Sequence, residues 1–181
     1  MSTRLAAGIF PVFDSLDSHD GKIVLLGKEY RSRYSRSFYM EFGGKHENGE
    51  SLAETALREF KEETAFSIPL DIETVNKAER FGHYIDYYGP MFFYRMYFIY
   101  FGQPIHVNDI LLTSKTVGNE FVEKSKYKYF DLQEVVLHKD GMAHGKELYP
   151  SLVERLNGMR RSSDFNNFLS TTKTPFYRNN L

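Results

Sequence analysis

The sequence contains no cysteine and no tryptophan among its 181 residues. Without cysteine, the chain can form no disulfide, no thiol nucleophile and no zinc–thiolate site, which is compatible with a reducing, intracellular setting. No stretch approaches the roughly 20 uncharged apolar residues of a membrane-spanning helix. The first residues hold only a short apolar run, which Pro11 interrupts. We therefore expect no signal peptide, no membrane partner and a cytoplasmic location.

The composition is that of an ordinary globular domain. Hydrophobic residues make up 41% of the chain and charged residues 26%, proportions that are usual for soluble proteins. The length suits one domain with a sizeable core, and no internal repeat divides the chain. We therefore expect a single domain over residues 1–181. Its last part, residues 155–181, is expected as a basic tail that is either loosely packed and frayed or wrapped onto the body.

The net charge is only −1, but the charges are unevenly distributed along the chain. Residues 41–63 contain seven acids and three bases, a net of −4, whereas residues 28–36 contain four bases and one acid, a net of +3. Residues 155–181 contain five bases and one acid, a net of +4. A metal ion needs carboxylates and a phosphate needs cations, so this pattern favours a site for both. Scattered surface charge is the alternative interpretation.

Apolar runs and turn residues define the expected strands and helices. They predict strands over residues 8–15, 21–30, 37–44 and 126–132, and a hairpin over 80–103 that turns at 87–90. Both alternating faces of residues 91–101 are apolar or aromatic, which predicts a central strand covered on both sides. One helix is expected to begin after Ser51 and to end by Pro69, and a second to span residues 146–159. The residues between the hairpin and the last strand look less regular.

The first predicted helix has a well-defined start and a clear buried face. Ser51 and Glu54 have the spacing of a capping box. The apolar stripe comprises Ala53, Ala56, Leu57, Phe60 and Thr64. On a helical wheel, Glu59, Glu62 and Glu63 share an arc of about 100° that faces away from the core.

Three carboxylates on one helical turn need compensation, because like charges at this spacing repel. A hard divalent cation held between them would turn the repulsion into coordination. Arg58 could bond to Glu50 or Glu62 and hold the carboxylate in a fixed orientation. Gly43 and Gly44 would let the preceding strand turn sharply and expose backbone oxygens toward the same cluster. An ordinary surface helix with Glu–Lys pairs is the alternative, although this turn offers a single lysine.

The spacing over residues 44–66 resembles the Nudix box, G-x5-E-x7-R-E-U-x-E-E-x-G-U, in which U is a bulky apolar residue. The matching residues are Gly44, Glu50, Arg58, Glu59, Glu62 and Glu63, with Phe60 and Phe66 at the U positions. Ala65 stands where the family usually has glycine; a left-handed backbone there costs an alanine about 1 kcal/mol. Phe42 stands where many members have proline. The order of the predicted elements beyond the box is also similar to that of Nudix proteins.

This resemblance implies the fold and the reaction. The implied fold is an α/β fold, the Nudix-type α/β/α sandwich with a mixed central sheet. The implied reaction is hydrolysis of a diphosphate bond in a nucleoside diphosphate linked to another group, X. The implied cofactor is Mg²⁺ or Mn²⁺, which neutralises charge on the diphosphate and activates a bound water.

The resemblance also assigns roles to individual residues. The implied metal ligands are the Gly43 carbonyl, Glu59, Glu62, Glu63 and Glu123. Glu50 and Arg58 would orient these groups, and the general base is Glu59, Glu123 or a neighbouring carboxylate. The expected catalytic residues are therefore Arg58, Glu59, Glu62 and Glu123.

Glu123 is included because of its register with a late strand. In the family, a further glutamate often lies in a loop about six residues before an aromatic residue that opens such a strand. Glu123 stands six residues before Tyr129, and Glu120 is the alternative nearby. Outside the resemblance, either glutamate would be read as a plain loop acid.

The identity of X does not follow from the box, because box residues contact only the metal and the diphosphate. The stretch Gly43–Lys45 resembles the version found in enzymes that hydrolyse nucleoside triphosphates, oxidised or not, to monophosphate and pyrophosphate, which is the first expectation. Candidate substrate-binding residues are Lys45, Arg31, Arg33 and Arg36. They could instead receive a longer anion, such as a capped RNA 5′ end, a dinucleoside polyphosphate or an inositol pyrophosphate. A catalytically silent module for ligand sensing or protein binding is the alternative of another class, although all box carboxylates are present.

Overall fold

A computed structural model describes residues 3–17, 21–117, 124–137 and 147–171 of the protein. Within these residues, the strands are β1 (Arg4–Asp14), β2 (Lys22–Arg31), β3 (Arg36–Met40), β4 (Phe42–Lys45), β5 (Tyr84–Gly89), β6 (Phe92–Gly102) and β7 (Lys126–Asp131). The helices are α1 (Leu52–Glu63), α2 (Ile72–Arg80), α3 (Val107–Val117), α4 (Leu132–Leu137), α5 (Pro150–Met159) and α6 (Ser163–Thr171).

These strands form one mixed sheet. Strand β1 pairs in parallel with β6, and in antiparallel with β4 through its first half and with β2 through its end. Strands β3 and β7 pair with β2, and β5 pairs with β6. Strand β6 lies between β1 and β5 and is buried along most of its length, which confirms the predicted central strand.

Helices cover both faces of the sheet. On one face, Ala56 and Phe60 of α1 and Val75 of α2 pack with residues of β1 and β6 in one hydrophobic cluster. On the other face, the apolar residues of α4, α5 and α6 form a second cluster, which includes the predicted pair Leu152 and Leu156. The predicted α/β/α sandwich is therefore confirmed.

The predicted single strand over residues 37–44 is wrong, because the structure divides it into β3 and β4. The chain changes partner here: β3 pairs with β2, whereas β4 pairs with β1. Glu41 lies at the break, is buried and forms an ion pair with Arg155 of α5. A charged residue that must reach a helix outside the sheet interrupts the strand pattern at this point.

The sequence pattern missed four helices and misplaced the start of a fifth. The helices α2, α3, α4 and α6 were not predicted. They are short, with 6 to 11 residues each, and so few turns give a periodic pattern little length in which to show. Helix α5 begins at Pro150 and not at residue 146, since the backbone of Tyr149 bonds to that of Tyr39 in an extended conformation. A proline at the first helical position is the common local signal for such a start.

Part of the predicted tail is packed onto the body. Helix α6 places Phe165 and Phe168 in the hydrophobic cluster beneath α5, where both rings lie against Phe98 of β6. Residues 172–181 lie outside the described residues. In the part of the chain that the structure describes, no helix is long and apolar enough to cross a membrane.

Candidate active site

The Nudix-box helix α1 begins as predicted. The Ser51 side chain accepts a hydrogen bond from the Glu54 backbone nitrogen at 3.2 Å, and the Glu54 carboxylate accepts one from the Ser51 nitrogen at 2.7 Å. This confirms the capping box. The start of the helix determines the direction in which its carboxylates leave the backbone. It therefore also determines where these carboxylates lie in the site.

The helix ends in a Schellman motif with alanine in the position that favours glycine. The Phe66 nitrogen donates to the Lys61 carbonyl at 2.7 Å, and the Ala65 nitrogen donates to the Glu62 carbonyl at 3.1 Å. Ala65 has a φ of 50°, so it adopts the left-handed backbone despite its Cβ atom. The helix exit of the family is therefore kept without its glycine, at a local conformational cost. Phe66 is 58% exposed, so it does not fill the core.

Arg58 is the centre of the acidic cluster. Its Nε donates to Glu50 Oε1 at 2.7 Å, and its Nη1 donates to Glu59 Oε1 at 2.9 Å and to Glu62 Oε2 at 3.3 Å. Its Nη2 also donates to the Lys45 carbonyl at 2.9 Å. Arg58 thus contacts Glu50 and Glu62, the two carboxylates named as its possible partners, and also Glu59.

Glu50 completes this hydrogen-bonded network. Its second oxygen accepts a hydrogen bond from the Thr55 hydroxyl at 2.8 Å. The Arg58 guanidinium lowers the pKa of the Glu50 carboxyl to about 2, against the smaller opposing effect of burial. Glu50 is therefore ionised under all ordinary conditions, and it holds Arg58 in one orientation.

Gly44 makes room for Glu59. A Cβ atom at Gly44 would lie 2.4 Å from the Glu59 carboxylate carbon, so any other residue here would displace that carboxylate. Gly43 is equally restricted, since a Cβ atom there would lie 2.6 Å from the Cα of Gly8. The glycines that the sequence indicated as a turn are thus required by close approach of neighbouring groups.

Glu63 does not face away from the core, as the helical wheel predicted; that expectation is wrong. Its residue is only 3% exposed. Glu63 Oε1 lies 2.8 Å from Lys124 Nζ, and Glu63 Oε2 accepts a hydrogen bond from the Gly43 nitrogen at 2.8 Å. Strand β4 and the residues before β7 close over this side of α1, which a helical wheel cannot represent.

The charges around Glu63 are strongly coupled. Lys124 Nζ also contacts Glu29 Oε2 at 2.7 Å. Burial raises the pKa of the Glu63 carboxyl to about 8, although the charge of Lys124 opposes this. For Lys124, burial lowers the pKa, but the charges of Glu63 and Glu29 outweigh it and the net pKa is raised.

A cleft of about 760 Å³ adjoins the cluster. Its basic lining residues are Arg4, Arg31, Arg33, Lys45 and Arg155. Its aromatic lining residues are Phe92, Tyr94 and Tyr149. Glu59 of α1 and the two glycines of β4, Gly43 and Gly44, also line the cleft. A cleft that places cations beside carboxylates is suited to an anion that carries a metal ion.

The structure brings together three of the four predicted substrate-binding residues. Arg31, Arg33 and Lys45 all line the cleft, whereas Arg36 is not among its lining residues and stacks on Phe38 at 4.4 Å from the ring centroid. Arg31 also forms an ion pair with Glu29 at 3.0 Å. The proposed ligand Glu123 lies outside the described residues, as does its alternative.

Sequence analysis missed several residues of the cleft. Arg155 and Glu41 form a buried ion pair in its wall, and the Arg155 guanidinium lies 4.4 Å from the Tyr94 ring centroid. An arginine on the apolar face of α5, between Leu152 and Leu156, was the available signal, since such a residue requires a buried partner. No comparable local signal marks Arg4 or Tyr149.

The residues present fit a hard divalent cation. Glu59 and Glu62 each place an oxygen within 3.3 Å of Arg58 Nη1. A positively charged group therefore already lies between these two carboxylates. Among the described residues, no three His, Cys, Asp or Glu side chains converge to hold an ion as they are oriented here. Mg²⁺ is commonly bound by one or two carboxylates with water and substrate phosphates, so this pair is sufficient.

The α/β/α sandwich thus places an acidic helix beside a basic cleft. The sequence matches the family described as NUDIX domain over residues 2–152. The chain therefore belongs to the Nudix family, and it is a pyrophosphohydrolase whose general reaction is hydrolysis of a diphosphate bond. Nudix hydrolases generally use divalent metal ions.

Solved structures show the same fold at low sequence identity. A C. elegans Ap4A hydrolase in a binary complex has a TM-score of 0.50 and 17% identity over 92% of this chain and 98% of its own. A mutT/nudix family protein from Listeria innocua has a TM-score of 0.55 and 15% identity over 94% and 99%.

A longer protein shares the fold over part of its length. A bifunctional NMN adenylyltransferase/ADP ribose pyrophosphatase from Francisella tularensis, complexed with AMP and an Mn ion, has a TM-score of 0.58 and 12% identity. The match covers 87% of this chain but only 41% of that one. No curated protein matches the sequence. These similarities establish the fold. The substrate has to be inferred from the residues of the site.

Proposed function

We propose that this enzyme hydrolyses a nucleoside triphosphate to a nucleoside monophosphate and pyrophosphate, with Mg²⁺ or Mn²⁺ as cofactor. The observation that carries the proposal is the junction of the Arg58 cluster with the basic cleft, since Glu59 belongs to both. A cation held by Glu59 and Glu62 would lie beside the side chains that bind the phosphate chain. Binding, orientation and charge neutralisation account for most of the catalysis of phosphoryl transfer.

The proposed metal ligands divide into two groups. Glu59 and Glu62 are half-buried, and Glu59 lines the cleft. The Gly43 carbonyl and Glu123 are proposed to complete the set. Glu63 joins them only if its ion pair with Lys124 opens. When bound, the metal neutralises charge on the diphosphate and lowers the pKa of a water molecule.

The remaining residues of the cluster position the reacting groups. Arg58 and Glu50 hold Glu59 and Glu62 in fixed orientations, so that little reorganisation is needed when the substrate binds. Glu59 is the proposed general base, because it is the carboxylate of the cluster that lines the cleft. It would accept the proton of the attacking water within hydrogen-bond distance.

The cleft supports recognition of both ends of a nucleotide. Arg4, Arg33 and Lys45 are proposed to contact the phosphate chain beyond the bond that is cleaved. Arg31 lies 5.2 Å from the ring centroid of Tyr149, and such a pair of a guanidinium and a ring can stack on a base. Arg36 is not included in this proposal.

A dinucleoside polyphosphate is the second candidate substrate. Five basic residues line a cleft of about 760 Å³, and such a cleft could receive a longer anion than a triphosphate. Capped RNA and inositol pyrophosphates share this chemistry and belong in the same test. The silent-module alternative is disfavoured because Arg58, Glu50, Glu59 and Glu62 retain a fully connected network.

The test is a substrate panel with a matched inactive variant. The wild-type chain and Glu62→Gln are incubated with nucleoside triphosphates, dinucleoside polyphosphates, nucleotide sugars, capped RNA and inositol pyrophosphates, each with Mg²⁺ or Mn²⁺. Products are identified by mass spectrometry, with ¹⁸O-labelled water marking the attacked phosphorus. We expect monophosphate and pyrophosphate from a triphosphate, and no turnover by Glu62→Gln. If the wild-type chain hydrolyses no member of the panel faster than Glu62→Gln, the proposal fails.

A further inference from the structure

A buried lysine lies among the acids next to the active site. The side chain of Lys124 is 0% exposed, and its Nζ lies 2.7 Å from Glu29 Oε2 and 2.8 Å from Glu63 Oε1. Glu63 is the last carboxylate of the box. A lysine is almost never fully buried unless it is paired, so this position is specifically built.

The surrounding backbone makes room for this lysine. A Cβ atom at Gly27 would lie 2.7 Å from Cγ and 2.8 Å from Cδ of Lys124, so the lysine stem lies directly on the glycine. Strand β2 thus supplies both this glycine, which lies under the lysine stem, and Glu29 two residues later, which contacts the ammonium group. The lysine is held along its whole length, which distinguishes it from a surface side chain.

Every carboxylate oxygen of this group has a partner. Glu29 Oε1 lies 3.0 Å from Arg31 Nη2, and Glu29 Oε2 contacts Lys124. Glu63 Oε1 contacts Lys124, and Glu63 Oε2 accepts the hydrogen bond from the Gly43 nitrogen. The four carboxylate oxygens are therefore satisfied by groups of the protein without any added ion, as buried polar groups require.

A divalent ion and this ammonium group compete for the same carboxylate. An ion bound to Glu63 Oε1 would lie within a few ångströms of Lys124 Nζ, and two positive charges at such a distance repel strongly in a buried site. Coordination of Glu63 therefore requires the ammonium group to leave. Glu62 is not in contact with Lys124. Its cationic partner is Arg58 at 3.3 Å, whose side chain is 23% exposed and can move toward solvent, whereas the side chain of Lys124 is 0% exposed.

We propose that Lys124 is a positioning residue that holds Glu63 with a built-in cation, in the place that a divalent ion would otherwise take. Glu59 and Glu62 then carry the tightly bound metal, and Glu63 becomes a ligand only when Lys124 is removed. This inference rests on the proposed metal site, but not on the identity of the substrate.

The experiment is a Mn²⁺ titration of the full chain, followed by the electron paramagnetic resonance signal of free Mn²⁺. The variants are Lys124→Met, which keeps an unbranched stem over Gly27, Glu63→Gln, and the double variant. We expect Lys124→Met to bind one additional Mn²⁺, or to bind Mn²⁺ at least about tenfold more tightly than the wild-type chain. Adding Glu63→Gln should abolish this gain, because the carboxylate that provides it is gone.

The opposite results overturn the proposal. If folded Lys124→Met binds the same number of Mn²⁺ ions with the same affinity as the wild-type chain, Lys124 does not compete for Glu63. The same conclusion follows if the double variant Lys124→Met/Glu63→Gln still shows the additional or tighter Mn²⁺ binding. Should Lys124→Met fail to fold because its acids are left unbalanced, Glu29→Gln/Lys124→Met removes one charge of each sign and is compared with Glu29→Gln alone. The same gain is expected there, and its absence refutes the proposal equally. Hydrolysis is not the readout, so failure of the substrate panel leaves this result intact.

Discussion

Arg58 shows how one side chain can organise a site. Its guanidinium reaches three carboxylates and one backbone carbonyl through its three nitrogens, with Nη1 shared between Glu59 and Glu62. A lysine has a single ammonium group and cannot make these contacts in one plane. The carboxylates that would hold a metal ion therefore depend on the geometry of arginine and not merely on its charge.

We accordingly predict that Arg58→Lys lowers kcat/KM for the substrate identified in the panel by about 10- to 100-fold, in line with the loss of a group that orients metal ligands. The fold should be unchanged, as measured by circular dichroism and thermal unfolding. Arg80→Lys is the matched control, since Arg80 also pairs with a glutamate on a helix but is largely exposed. Equal activity of the two variants would contradict the role given to Arg58.

The depressed pKa of Glu50 leads to a prediction for stability. A carboxyl with a folded pKa of about 2 and an unfolded pKa near 4.5 stabilises the fold above the unfolded value, and it loses this contribution as the pH falls through the folded value. The melting temperature of Glu50→Gln should thus lie below that of the wild-type chain at neutral pH. The gap should narrow as the pH falls from 4.5 toward 2. A gap that stays constant over this window would show that the charge of Glu50 is not the cause.

Helix α1 is the element that joins stability to function. Its capping box fixes where the helix begins, and its Schellman motif fixes where it ends, with Ala65 in the left-handed conformation. Between these ends, Phe60 is buried and Arg58 faces the cluster. Because the rotation of a helix is fixed by its ends and its buried face, the direction of each carboxylate follows from both.

We predict that Ser51→Ala lowers the free energy of unfolding by about 1 kcal/mol, the usual cost of losing an N-cap side chain. Ser51→Thr retains a hydroxyl in the same place and serves as the control, with a much smaller loss expected. Urea denaturation at neutral pH measures both. If the two substitutions destabilise equally, the hydrogen bond to the Glu54 nitrogen is not what stabilises the helix start.

At the scale of the whole molecule, the sheet separates two hydrophobic cores that support different parts of the site. The core under α1 and α2 supports the acidic cluster, while the core under α4, α5 and α6 closes the other face and carries Arg155 to the cleft. Helix α6 belongs to the second core through Phe165 and Phe168. The C-terminal region up to residue 171 therefore contributes to folding.

This assignment is tested with two phenylalanines of opposite exposure. Phe168→Ala removes a ring that is 0% exposed, and we expect it to lower the free energy of unfolding by about 3 to 5 kcal/mol. Phe66→Ala removes a ring that is mostly in solvent and should change it by about 0.5 kcal/mol or less. Chemical denaturation measures both. A small effect of Phe168→Ala would mean that α6 is not part of the cooperative fold.

The features that sequence analysis predicted correctly depend on short-range geometry. The capping box, the buried stripe of α1 and the neighbouring positions of Arg58 and Glu62 follow from helical spacing alone, because residues three or four apart share a face. The doubly covered strand β6 follows from its apolar alternation. Helices α2 and α6 were missed because each spans only nine residues, and helices this short gain most of their stability from tertiary contacts.

The sequence by itself determined the family, the box helix and two of the carboxylates around Arg58, Glu50 and Glu62, since these are set by spacing within about 20 residues of chain. Only the tertiary structure decided that Glu63 is buried against Lys124, that Arg155 reaches Glu41 across 114 residues of sequence, and which cations line the cleft. The physical reason is burial. The spacing of residues along a helix determines which side chains share a face. The elements packed against that face determine whether a charged side chain contacts water, a metal ion or a partner within the protein.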